Sequence, residues 1–498
     1  MKNQILTFLL ALACASVLYS QQTMWVSTGQ VKYSFDTQQV GRMPFNVAGD
    51  TLTVLGKAFA ISDVDSIYLT NTQTEGNTVM VNYDDTVAWV TIAGNIATQV
   101  TPIVDGANVR MVQDSTMQQE VFYTLSGTSS NGSFYQEGEY KATFILNGLT
   151  LTSSAGPAID INDGKRIEIQ LVDGTTTTLA DGAKGTHKAA FNVEGHSEFK
   201  GGGNLVITGN TKHGFKSDEY MELKKSFTGL INVKNAVGDG LSINQYLEVK
   251  SGRILVERCE GDGIQVDAKA DSTKVKNGQF IMSGGSISIE GVGEDCKGIK
   301  VEKAVTISDG VIEVVAEDNA LHSKTNMIIT GGNIYTYSIY AHGVNAGDSL
   351  TIAGGKIVAF AAPTVGYGVR GATALFITGG DVAAIGALVS TPKTVEESQP
   401  VLTYQGTVYK TIMSLTDETG NAVMTFDQSR SYSSSKRHTL LLSSPSLIED
   451  ADYTLNKDAS LNDDAENWHG LYASPEAVID AGTEMATGTA MVPYGVMQ

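Results

Sequence analysis

Through the middle of the chain, apolar and polar residues alternate in short runs broken by glycine. The clearest runs are LEVKSGRILVERCEGDGIQV from Leu247, FIMSGGSISIEGVGEDCKGIKV from Phe280 and VTISDGVIEVVAEDNALHS from Val305. Two more follow, MIITGGNIYTYSIYAHGVNA from Met327 and LTIAGGKIVAFAAPTVGYGVRG from Leu350. Aligned on a small residue in their last turn, the copies fall at Gly214, Gly240, Gly263, Gly298, Ala320, Gly343 and Gly368. The period is near 23 residues, as from Gly240 to Gly263, and the one long step, to Gly298, holds the polar insert KADSTKVKNG. A period of that length with glycine turns and no helical pattern marks a solenoid.

Each anchor is followed by an apolar residue (Phe215, Leu241, Ile264, Ile299, Leu321, Val344, Val369) and then a polar one (Lys216, Ser242, Gln265, Lys300, His322, Asn345, Arg370). A period of two is a strand with one face inward. Three strands of about five residues and three short turns use up one period. The pattern therefore predicts an all-β fold, a right-handed parallel β-helix in which equivalent residues stack about 4.8 Å apart. Apolar columns fill its bore and polar columns run outside.

The flanks divide the chain further. Residues 1–20, MKNQILTFLLALACASVLYS, have the basic start and apolar run of a secretory signal peptide. Cys14 offers a lipoprotein alternative, ranked second because Ala11 replaces the usual branched aliphatic residue. No later stretch is long enough to span a bilayer as a helix. Residues 21–118 read as a small β-rich N-terminal module, with VNYDDTVAWVTIAG as a hairpin and Trp25, Tyr33 and Phe35 as core rather than a sugar platform. Residues 119–400 are the β-helix, opening with an irregular coil over Val121 to Thr152 and with Ala158 and Ala190 at anchor positions. Residues 401–455 form a C-terminal β cap, and 456–498 an acidic, aperiodic tail expected to pack loosely.

The net charge of −20 argues against nucleic acid and suits divalent cations or simply a soluble exported surface. Cys259 and Cys296 lie on successive coils in different registers, and two free, partly buried thiols are expected. There is no CxxC, HExxH or P-loop, and no ordered Ser-His-Asp signal.

Several phrases in order, FYTLSGTSSNGSF, ATFILNGLTLTSSAGPAIDINDGKRIEIQLVDGT, DGLSINQYLEVKSG, GDGIQV and SSPSLIEDADYTL, resemble the secreted carbohydrate-binding-domain family of clostridia and Bacteroidetes, which belongs to the pectate-lyase-like β-helices. FAISDVDSIYLT resembles a strand in N-terminal modules of secreted Bacteroidetes proteins. The main resemblance spans about Val121 to Leu455. It implies an exported β-helix that binds acidic or cellulosic polysaccharide and holds calcium in acidic turns. The last coils depart from the pattern, with Ala-His-Gly and Gly-Tyr-Gly in place of Gly-Asp-Gly.

The column just before the anchors reads His213, Asp239, Asp262, Lys297, Asn319, His342, Tyr367. Stacked carboxylates repel, so Asp239 and Asp262, with Asp267, Glu294 and Asp295 nearby, are candidate calcium ligands. The competing reading has them capping turns through Asx hydrogen bonds. Lyases of this fold set a calcium beside a basic residue that removes a proton next to a uronate carboxylate, which makes Lys297, then Lys300, the candidate base. An acidic surround raises a lysine's pKa and counts against that role. The candidate sugar-binding column is Lys216, Gln265, Lys300, His322, Asn345 and Arg370, locally basic on an acidic protein. Tyr335, Tyr337 and Tyr340 read first as outward strand residues that steady the stack. The expected function is a non-catalytic polysaccharide binder with calcium. A calcium-dependent lyase is the first alternative and a surface adhesin or structural solenoid the second. Neither the glycan nor the oligomeric state is legible.

Overall fold

The computed structural model describes residues 22–73, 75–407, 411–427, 437–462, 464–472 and 475–498. The expected signal peptide, residues 1–20, and Cys14 within it lie outside the described residues. Strands make up the fold, and the described residues include no α-helix, only two short 3-10 turns. Two compact units divide the chain, one ending at Val206 and one starting at Ile207. The architecture is the expected right-handed parallel β-helix.

In the first unit, Thr23–Thr28 pairs antiparallel with Val31–Asp36 and with Ser66–Thr70. Tyr33 and Phe35 are buried against Phe59, as core. Trp25 instead lies half-buried, its ring stacked on Tyr68. The expected hairpin is present as Thr78–Asp84 and Val87–Ala93. Its first strand also pairs in parallel with Val121–Ser129, and Asn108–Gln113 pairs in parallel with Ser133–Glu137. Parallel stacking therefore begins before residue 119, and the coil from Val121 is not the first. The cue was weak because Thr78–Asp84 and Asn108–Gln113 both belong to antiparallel hairpins, which carry the same two-residue alternation as a coil. Above them, Ala142–Thr152 and Ile159–Asn162 continue the stack, around a bore filled by Tyr123, Phe134 and Phe144.

The second unit holds the regular coils. One ladder runs Phe215, Leu241, Ile264, Ile299, Leu321, Val344, Val369, all buried. Beside it runs Lys216, Ser242, Gln265, Lys300, His322, Asn345, Arg370, in the register expected from the repeat. The small anchors are required sterically: a Cβ on Gly263 would meet Gly298 O at 2.6 Å. At the bend between the other two faces, Gly355 has φ +91° and a Cβ there would lie 2.5 Å from Gly332 O. Only glycine fits such a bend at coil spacing. The insert after Val266 leaves the wall as a loop pinned by Asn277, whose amide bonds Lys269 N, Lys269 O and Asp271 O.

The chain's end corrects one expectation. Residues 456–498 are not a loose tail. Asp452–Lys457, Thr483–Thr489 and Leu471–Tyr472 complete a five-stranded sheet with Ile412–Asp417 and Ala422–Asp427. Tyr453, Leu455, Leu471, Ala486 and Met497 share one core with Phe360, Ile385 and Phe426. Short strands rich in alanine and threonine show little periodicity, and tertiary burial, not pattern, orders them. Tyr335 and Tyr337 pack against this core, and Tyr335 stacks on His469 at 3.9 Å between centroids. They are covered, and their role is to seat the C-terminal sheet.

Candidate functional site

The column before the anchors is a hydrogen-bonded ladder. The Asp239 N–H donates to His213 Nδ1 (3.0 Å), the Asp262 N–H to Asp239 Oδ1 (3.0 Å), the Lys297 N–H to Asp262 Oδ1 (2.8 Å) and the Tyr367 N–H to His342 Nδ1 (3.1 Å). Each of these side chains caps the turn of the coil that follows, as the Asx reading has it. Because Nδ1 accepts, His213 is neutral with its proton on Nε2. Burial, with Lys212 and Lys216 nearby, lowers its pKa to about 3. The 3.2 Å approach of His213 Nδ1 to Asp239 Oδ2 is therefore not an ion pair. Burial, and then the charge of Asp262, push the Asp239 carboxyl up to about 6.

These donors do not fit calcium, which takes six to eight oxygens. Asp239 and Asp262 each commit Oδ1 to a backbone N–H, and Asp262 Oδ2 accepts from Lys300 Nζ at 3.0 Å. Asp267 accepts from Gln265 Nε2 at 2.6 Å. Glu294 and Asp295 are exposed on their turn. Among the described residues no three His, Cys, Asp or Glu side chains converge on a point that could hold a metal ion.

Both candidate bases are also engaged. Lys297 Nζ pairs with Asp318. Burial acts to lower the Lys300 pKa, but its hydrogen bond to Asp262 and the charges of Asp262, Asp239 and Asp267 outweigh it, and the net displacement is upward. A base must lose its proton near neutral pH, and this surround opposes that. Cys259 and Cys296 are free thiols, the first buried and the second half-buried, and burial raises the pKa of both.

The outward ladder changes character along its length. In the early coils its cations are matched: Lys216 Nζ lies 2.5 Å from Asn244 Oδ1 and 3.5 Å from Asp218, and Lys300 is held by Asp262. Further along, His322 Nδ1 meets Asn345 Nδ2 at 3.0 Å, and Arg370 Nη1 donates to Asn345 Oδ1 at 2.9 Å. Among the described residues, no carboxylate lies within ion-pair distance of Arg370. Its guanidinium sits 5.6 Å from the centroid of Tyr367, whose ring meets His342 edge-on. Burial, then the Arg370 charge, lowers the His342 pKa to about 4, so that ring carries no charge at neutral pH. Tyr340, Val365 and Leu388 stand exposed in the same late coils, and Leu388 bridges to Tyr367. The column was legible as a polar ladder. Its uncompensated end was not, because the departure from Gly-Asp-Gly removes a carboxylate without showing what replaces it.

A parallel β-helix bearing a polar outward ladder is the class that fold and site define. Residues 105–362 match the model of the family described as carbohydrate-binding domain-containing protein. That is just over half of the chain, which belongs to this family. A carbohydrate-binding domain-containing protein of Acetivibrio thermocellus is 25% identical over 130 residues, 24% of this chain and 45% of the relative. The chain thus spans less than half the length of that curated relative. A solved structure, the polysaccharide lyase-like protein from C. thermocellum as a gadolinium derivative, is similar with a TM-score of 0.40 at 19% identity, covering 60% of this chain and 96% of that one.

Proposed function

We propose that this chain is an exported, non-catalytic polysaccharide-binding protein that takes acidic chains at the late end of its outward ladder. The observation that carries the reading is Arg370, with no carboxylate at ion-pair distance among the described residues and its guanidinium over the Tyr367 ring, in coils where Tyr340 is exposed. A guanidinium fork suits a sugar carboxylate, and an aromatic face suits the apolar side of a pyranose ring. Family membership and the signal-like first twenty residues support the reading. The engaged states of Lys297 and Lys300 support binding without cleavage.

The test is electrophoresis of the mature protein through gels containing polygalacturonate, with absorbance of the mixture followed for unsaturated products. Retardation without products is expected, weakened by added salt and reduced at least tenfold in apparent affinity by Arg370→Ala. Retardation unchanged in Arg370→Ala would overturn the placement. Products that form, and vanish in Lys297→Ala, would replace binding with lyase activity.

A further inference from the structure

The bore of the first unit holds polar side chains among its apolar lining. Gln136 is fully buried in an inward column, between Met111 and Ile161 of the neighbouring coils. Its Nε2 donates to Asp163 Oδ2 at a long 3.4 Å, and its Oε1 has no hydrogen-bond partner among the described residues. Gln113, 6% exposed, donates from Nε2 to the buried Tyr123 hydroxyl at 2.9 Å, and its Oε1 has no partner there either. Asp163, 1% exposed, commits Oδ1 to the Lys165 N–H at 3.0 Å. Among the described residues, no lysine, arginine or histidine nitrogen lies within ion-pair distance of the Asp163 carboxylate.

These groups converge. Gln113, Gly138 and Asp163 follow the paired residues Val112, Glu137 and Asn162, so they stack on three successive coils. Gly138 leaves the middle of that stack open: a Cβ there would lie 2.5 Å from Gln113 Oε1, 2.6 Å from Gln136 Nε2 and 3.0 Å from Asp163 Oδ2. A half-turn of the Gln136 amide brings Oε1 to the same place with no change of shape. Two amide oxygens and one carboxylate oxygen then face one point beneath the partly exposed Gly138. Buried acceptors without donors are unfavourable, and a buried carboxylate charge is more so. A water satisfies the oxygens but leaves the charge; a cation answers both. The donor set selects its charge. Calcium sites gather several carboxylates, whereas one carboxylate and two neutral amides balance a single positive charge. Burial raises the Asp163 pKa, and a cation beside it opposes that rise.

We infer that Gln113, Gln136 and Asp163 form a buried site for a monovalent alkali cation, sodium or potassium, which ties together three coils of the first unit. It does not depend on the glycan reading at Arg370.

The experiment is calorimetric melting of the whole mature chain in sodium, potassium and choline chloride at equal ionic strength, with Gln136→Leu and Asp163→Asn beside wild type. Wild type should melt at least about 2 °C higher in one of the alkali salts than in choline. Leucine suits a column of Met111 and Ile161, so Gln136→Leu should melt at or above wild type in choline and lose the alkali increment. Asp163→Asn keeps the acceptor for the Lys165 N–H and should lose the increment as well. A purely structural role for Gln136 would instead shift its melting equally in all three salts and overturn the inference. Equal melting of wild type in the three salts would do the same, as would an increment that persists in both variants. Millimolar calcium in choline chloride should not reproduce the increment; if it did, the monovalent assignment would fall.

Discussion

Replacing Asp239 by asparagine should stabilise the protein at neutral pH and flatten its acid-side stability profile. Asp239 is buried, and its carboxyl titrates near 6 against a reference of 3.8. A carboxyl whose pKa is raised on folding binds its proton more tightly in the native state. Its contribution is therefore most favourable below about pH 4 and is lost as pH rises through about 6. The displacement, a little over two pH units, corresponds to about 3 kcal/mol at neutral pH. Asparagine removes the charge and keeps the Oδ1 acceptor for the Asp262 N–H. Asn319 occupies the equivalent position two coils beyond Asp262, so the side chain belongs in this column. The assay is urea denaturation of wild type and variant at pH 4, 5, 6 and 7.5. The variant should be more stable by about 1–3 kcal/mol at pH 7.5, and the difference should shrink toward pH 4. Equal pH dependence in the two proteins would show that Asp239 ionises normally and would refute the burial argument.

Three further outcomes follow from the same geometry. Gly355→Ala forces a side chain onto φ +91° and against Gly332 O, and should cost about 1–3 kcal/mol or more, read as a lowered melting temperature. Phe360→Ala empties the joint between the last coils and the C-terminal sheet and should cost about 3–5 kcal/mol, with limited proteolysis cutting first within residues 401–498. Calcium at 2 mM should leave the melting temperature where chelator leaves it, whereas an ion at a hundred times its Kd would add about 2.7 kcal/mol and move it by several degrees.

Much of the fold was legible because two signals coincide. The apolar-polar alternation set which residues face the bore, and the anchors from Gly214 to Gly368 set the register, so Lys216 through Arg370 could be aligned from sequence alone. The partners of the charges were not legible. Lys297 turns to Asp318 of the following coil, a choice that depends on how each turn is bent. The acidic column suggested a cation because charges were counted without the backbone N–H groups they face. Asp239 and Asp262 aim oxygens along the axis at the next turn, which the Asx alternative had allowed. The cap over 401–455 was legible, but the strands after Lys457 were not, because they are short and poor in large apolar residues and are ordered by packing on the core that Phe360, Ile385 and Phe426 share.

The central claim is that the late ladder, not the lysine-aspartate turns, is the binding face for acidic glycan. Calorimetric titration of a galacturonate oligomer into wild type, Arg370→Ala and Lys300→Ala tests it most directly. Binding should be lost with Arg370→Ala and retained in Lys300→Ala. Binding that survives Arg370→Ala and disappears in Lys300→Ala would contradict it.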